Sequence, residues 1–229
     1  MDTRTARPIP LFLTGLVALF GALVALSLSG GHAHAHGIEA HAAAGGAALT
    51  QRQVAFRSEI RRLWEDHITW TRLAVISLTT GSPDTQATVG RLLANQTDIG
   101  NAVKPFYGRA AGAELTKQLR SHILIAADVV AAAKAGDTPK LRDAQARWAA
   151  NGNAIAKLLV GANPRHWKPA VMKAELRTHL KLTTDEVVAR LQGKWAADVA
   201  AYDRIHRHAL HLADLLSAGL IAQFPGRFR

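Results

Sequence analysis

The chain has 229 residues, of which 48% are hydrophobic and 6% aromatic, with eight prolines; this suits one well-buried domain and offers too few strand-forming segments for a sheet protein. There is no cysteine, which excludes disulfides, thiolate zinc sites, iron–sulfur clusters and a lipid-anchored cysteine, so any metal must take nitrogen or oxygen ligands. The formal net charge is +11. Because Lys and Arg recur in every predicted helix, the charge reads as an evenly solvated cationic surface; weak association with anionic polymers or membrane is the alternative, and nucleic acid is not an expected partner.

The N-terminus carries Arg4 and Arg7, then an uncharged apolar run from Leu11 to Leu28, then small residues ending in Ala33-His34-Ala35. This is the pattern of an export signal. The run is also just long enough to remain as a membrane anchor, so residues 1–35 are a signal peptide or anchor, and either outcome places the rest outside the cytoplasm, secreted or periplasmic. Residues 36–49, rich in Ala, Gly and His, read as a flexible spacer. Residues 50–229 are the helical bundle domain.

Thr50 is a plausible N-cap for a helix that runs to Thr80 and stops at Gly81. Ser82-Pro83-Asp84 restarts the chain, and a second helix reaches Lys104 before Pro105, with Phe106-Tyr107-Gly108 as the turn. A third spans about Ala110 to Ala135. Gly136-Asp137-Thr138-Pro139 repeats the stop-and-cap pattern and opens a fourth helix to about Val160. Asn163-Pro164 breaks it, a short fifth helix covers Pro169 to Leu180, and Thr183 or Thr184 caps a long last helix to about Ala222. Each segment has an apolar stripe at helical spacing. The predicted fold is all-α, an antiparallel bundle of four to five long helices plus one short helix.

Polar residues interrupt these stripes. In the last helix, Leu191, Trp195, Val199, Ile205, Ala209, Ala213 and Leu216 form one face, and Asp198, Tyr202 and His206 fall within it at four-residue spacing; a buried carboxylate costs several kcal/mol unless paired, hydrogen-bonded or metal-bound. His67, Gln96 and His122 each stand thirteen residues from the same end of their helices, counting from Thr80, Pro83 and Ala135; Asn151 and Gly152 are about as far from the start of the fourth helix, and Asp198 is fourteen from the start of the last. At 1.5 Å per residue they lie at one level, about 20 Å from that end. His67, His122, Asp198, His206 and His179 are therefore candidate ligands for a transition metal (zinc, copper, iron or manganese), with Gln96 and Tyr202 as supporting partners. Haem on one or two of these histidines is the weaker alternative. Direction along the helix places His208, His211, Asp203 and Asp214 toward the flanks or outer face. No Glu-x-x-His pairs are present, so a di-iron carboxylate site is not expected.

The strings W-E-D-H-x-x-W-T-R (Trp64 to Arg72), N-Q-x-D-I-G-N (Asn95 to Asn101), K-P-F-Y-G (Lys104 to Gly108), H-I-L-I-A (His122 to Ala126), N-P-x-x-W (Asn163 to Trp167), H-L-x-L-T (His179 to Thr183) and Y-D-x-I-H (Tyr202 to His206) resemble those of exported bacterial all-helical proteins. That resemblance covers nearly everything after residue 50 and implies a helical fold and export, but no activity. From the residues themselves three functional classes follow: a metal-binding bundle acting as carrier or metalloenzyme, a sensor or bundle that binds a small ligand or partner, and a basic protein that binds anionic polymers or membrane.

Overall fold

In a computed structural model, which describes residues 48–229, the chain is an all-helical bundle. Helix α1 is Gln51–Thr80, α2 Thr85–Ala135, α3 Thr138–Ala162, α4 Pro169–Leu191 and α5 Trp195–Gln223, followed by one 3₁₀ turn, Pro225–Arg227. The export segment, residues 1–35, and the spacer up to residue 47 lie outside the described residues. Among the described residues no helix is long and apolar enough to cross a membrane.

Local chemistry sets most of these boundaries. At the start of α1 the Gln53 backbone N–H donates to the Thr50 hydroxyl at 3.2 Å and the Thr50 N–H to the Gln53 side-chain oxygen at 3.0 Å, a reciprocal cap. Asp137 accepts from the Lys140 N–H at 3.1 Å and opens α3. Helix α2 is two arms folded back on each other. Its hinge is Gly108, at φ 84° and ψ 171°, a conformation open to glycine alone. The arms, residues 85–107 and 109–135, pack so closely that a methyl group on Gly100 would sit 2.7 Å from the Gly112 carbonyl oxygen and closer still to the Thr116 hydroxyl.

The later boundaries differ from the sequence expectation. Instead of a short helix ending at Leu180, α4 runs on through Thr183 and Thr184 to Leu191. Both threonines turn their hydroxyls onto carbonyls one turn back, His179 at 2.9 Å and Leu180 at 2.8 Å, and so sit within a helix without capping one. The break falls at Gln192-Gly193-Lys194, where Gly193 takes φ 68° and the Lys194 N–H bonds the Ala189 carbonyl at 2.9 Å. Moving the start of α5 to Trp195 also turns its buried face: Trp195 and Val199, expected inside, are 61% and 53% exposed, and the inner face is Asp198, Ala201, Ile205, Ala209, Leu212 and Leu220.

Helix α1 packs on α2 and α5, α2 on α3, α3 on α4, and α4 on α5, so the helices close into a ring. Six apolar clusters fill it, all drawn from residues between Phe56 and Phe224. One end is plugged by Phe56, Phe106, Phe224 and Phe228, with Phe56 and Phe228 ring centres 5.0 Å apart, and the Thr50 hydroxyl donates to the Phe228 carbonyl at 2.6 Å. Residues 48–229 thus carry their own caps, plug and core and form a closed folding unit.

Gly100→Ala is expected to lower stability by about 1–3 kcal/mol, since the arms of α2 must separate to admit the methyl group. Gly90→Ala, in the same helix with nothing within 4 Å of the added carbon, should instead stabilise by up to about 1 kcal/mol. Urea unfolding of the pair measures both.

Candidate functional site

Four histidines meet inside the ring. His67 of α1, His122 of α2 and His179 of α4 are 3%, 4% and 6% exposed. His179 is central, with ring centres 5.9 Å from His67, 5.9 Å from His122 and 6.0 Å from His208 of α5. The level expected from helix counts is present for His67, Gln96, His122 and Asn151 but not for Asp198, which stands only three residues after Trp195; its place is taken by His208, thirteen after Trp195, and His179 joins the level twelve residues before Leu191. With Gln96 on the first arm of α2 and Asn151 on α3, every one of the six helical segments contributes one polar side chain.

Hydrogen bonds fix some of these rings. His122 Nδ1 lies 2.8 Å from the Asn151 Oδ1 and therefore donates, while its Nε2 accepts from the Trp148 indole N–H at 3.2 Å, so both nitrogens are engaged and the ring is neutral. Asn151 is itself held by its amide N–H on the Gln118 carbonyl at 3.1 Å. His67 Nδ1 accepts from the Gln96 amide at 3.1 Å; that amide also donates to the Leu92 carbonyl at 2.8 Å. His179 Nδ1 and His208 Nε2 are buried without a partner among the described residues. Such groups are costly, by about 1–3 kcal/mol each.

Burial dominates the electrostatics. Loss of hydration lowers the pKa of His67 to about 3, with the nearby His122 adding to the effect, and that of His122 to about 4. His179 is held well below its ordinary value by burial and by the other three imidazoles. His208 is lowered by burial although the Glu175 carboxylate, 3.6 Å away, works in the other direction. At neutral pH the layer is uncharged.

His67, His122 and His179 form one wall of an apolar cavity of about 70 Å³. Its sides are Ile60, Leu63, Ile99, Leu115, Ile155 and Leu216, and its far wall is Trp167 with Leu220. Trp167 packs its indole nitrogen against Gly219, where any β-carbon would collide with the ring, and its N–H is buried without a partner among the described residues. A second cavity of about 50 Å³ lies beside Trp148, between Thr71, Leu92, Ile123, Val130 and Val187.

Asp198, Tyr202 and His206 are placed elsewhere. Asp198 is buried, but its two oxygens are taken by Arg72, which grips both of them, and by Arg190 Nη1 at 3.0 Å; Arg72 also bonds Glu186 at 2.8 Å. Burial works against the Asp198 charge, yet the two guanidinium groups outweigh it and hold the pKa below its ordinary value. Glu186 is fully buried with one oxygen unpartnered, and burial raises its pKa. Tyr202 lies under the Arg72 guanidinium, 5.4 Å from ring centre to carbon. His206 is half-buried at the rim, 2.6 Å from Glu65. His208, expected at the flank, faces inward with a side chain only 9% exposed, a direct result of where α5 begins. The signal that could have shown this is Gly193, the helix-stopping residue after Leu191 and Gln192.

Among the described residues no group of three or more His, Asp or Glu side chains is arranged to hold a metal ion. No protein-family model matches the chain, and neither a curated protein nor a solved structure matches it.

The neutral layer makes stability depend on pH with a fixed sign. Unfolded histidines bind protons below about pH 6.5, whereas folded His67 and His122 do so only near 3 and 4. The unfolded state therefore holds more protons in between, and stability falls as pH falls. Between pH 7 and 5 each of the two should cost roughly 2 kcal/mol. Urea unfolding at the two values measures the loss, and His122→Gln should reduce it.

Proposed function

We propose that this chain is a ligand-binding bundle that encloses a small, mainly apolar molecule bearing one neutral hydrogen-bonding group. The observation that carries the reading is the apolar cavity lined at one end by the neutral imidazoles of His67, His122 and His179. Its volume is several times the ~10–15 Å³ that one water needs, yet its walls would offer water few partners away from the imidazoles. An apolar body fills such a space more favourably, and a hydroxyl or amide at its end meets the imidazole wall. A charged group would be disfavoured beside neutral imidazoles shielded from solvent. The pattern of residues 4–35 supports a role for this binding outside the cytoplasm.

A second reading keeps the transition metal. His179 Nδ1 and His208 Nε2 are both free, on rings 6.0 Å apart, and a zinc or copper ion could draw on them. It would need further ligands, because the His122 nitrogens are taken by Asn151 and Trp148 and Asp198 is clamped by two arginines.

Thermal shift and calorimetry with a series of linear alkanols, the matching alkanes, and zinc and copper salts separate the two. The ligand reading expects binding that strengthens by up to about 0.8 kcal/mol per methylene until the cavity is full. It also expects a preference for alkanol over alkane that His179→Leu removes. A stoichiometric metal ion that stabilises the protein and is lost in both His179→Ala and His208→Ala would contradict it in favour of the metal.

A further inference from the structure

Helices of alternating direction gather residues that are far apart in sequence. At the aromatic-plugged end lie the start of α1, the hinge of α2, the α3–α4 connection and the C-terminal turn, joined by the Asn163 amide on the Gly219 carbonyl at 2.9 Å and Gln223 on the Ala162 carbonyl at 3.1 Å. Within five residues of the helix ends and hinge here, in residues 48–56, 103–113, 157–174 and 218–229, there are nine Lys and Arg and no Asp or Glu. They are Arg52, Lys104, Arg109, Lys157, Arg165, Lys168, Lys173, Arg227 and Arg229, all exposed except Lys104, which is half-buried, and none is in an ion pair among the described residues. The same rule at the opposite end, residues 75–90, 130–143 and 186–200, gives five basic and five acidic side chains. The charge that looked evenly spread along the sequence is therefore polarised.

Apolar groups stand among these cations. Leu49, Val54 and Val171 are 47%, 49% and 41% exposed. The chain also enters the bundle here, at Ala48, from the apolar run at 11–28, with residues 29–47 between. We propose that this end rests on an anionic lipid bilayer, with the basic side chains among the headgroup phosphates and Leu49, Val54 and Val171 reaching the acyl boundary. Nine unpaired cations match a negatively charged surface without needing a shaped partner, and exposed aliphatic side chains among them suit a bilayer better than a soluble polyanion. The arrangement is independent of what the cavity holds.

The test is flotation of residues 48–229, the closed folding unit, with vesicles of phosphatidylcholine alone or mixed with phosphatidylglycerol. Binding is expected only with the anionic lipid and should weaken with salt. The variant Arg109→Gln/Arg165→Gln/Lys168→Gln/Arg227→Gln should bind roughly fivefold more weakly for each side chain neutralised. The control Lys134→Gln/Lys140→Gln/Arg142→Gln, at the other end, should bind as the parent does. Leu49→Ser/Val171→Ser should remove the binding that survives at high salt. All these positions are at the surface, and circular dichroism checks that the helices persist. Equal loss in the two charge variants, no preference for anionic lipid, or tighter binding to double-stranded DNA or heparin than to vesicles, would each overturn the proposal.

Discussion

A buried imidazole that finds no partner for its nitrogens costs free energy, and this bundle places four imidazoles at one level of its core. Neutral rings and neighbouring side chains that accept or donate lower that cost. Gln96 and Asn151 do this for His67 and His122, and Trp148 closes the set. Once those bonds are made, α1 is fixed in height against the first arm of α2, and the second arm of α2 against α3, because a slip by one turn, about 5.4 Å, would separate each pair. Apolar packing alone would tolerate several such registers. The bonded part of the layer thus specifies the alignment of these segments, and the cavity lies beside it.

The second buried polar group, Arg72–Glu186–Asp198–Arg190, acts differently. It is an ion cluster that ties α1 to α4 and α5 nearer the α1–α2 turn, with Arg190 also reaching Thr79 at 3.2 Å. Both carboxylates are met by guanidinium groups, so the cluster holds the helices together, and both Asp198 oxygens are engaged by arginine. Two buried polar systems, one neutral and one ionic, are therefore separated along the bundle, and only the neutral one faces an apolar space.

Much of this was legible in the sequence. Thr50, Gly81, Gly136 and Asp137 mark boundaries because their roles are local: a cap or a left-handed residue depends on a few neighbours. The common level of His67, Gln96, His122 and Asn151 was legible because, with those boundaries known, height is arithmetic. The place of Asp198 and His206 was not, because Thr183 and Thr184 look like caps until their hydroxyls are seen bonding carbonyls within a continuing helix. That single shift of boundary changes the phase of α5, exposes Trp195, and exchanges His206 for His208 at the layer. The polarised charge was hidden for another reason: it arises only when the helices' alternating directions bring four separate stretches, carrying one, two, four and two of the residues concerned, to one end.

The central claim is that the histidine layer is neutral, with His67 and His122 internally bonded. It is tested most directly by two-dimensional proton–nitrogen spectra of the imidazole side chains, recorded from pH 7 down to pH 5 on nitrogen-15-labelled protein. The account expects His67, His122 and His179 to keep the shifts of neutral rings throughout, with the His122 proton on Nδ1. Ordinary titration of His122 or His179 near pH 6.5, or a His122 proton on Nε2, would show that the layer is solvated or differently bonded and would contradict the account.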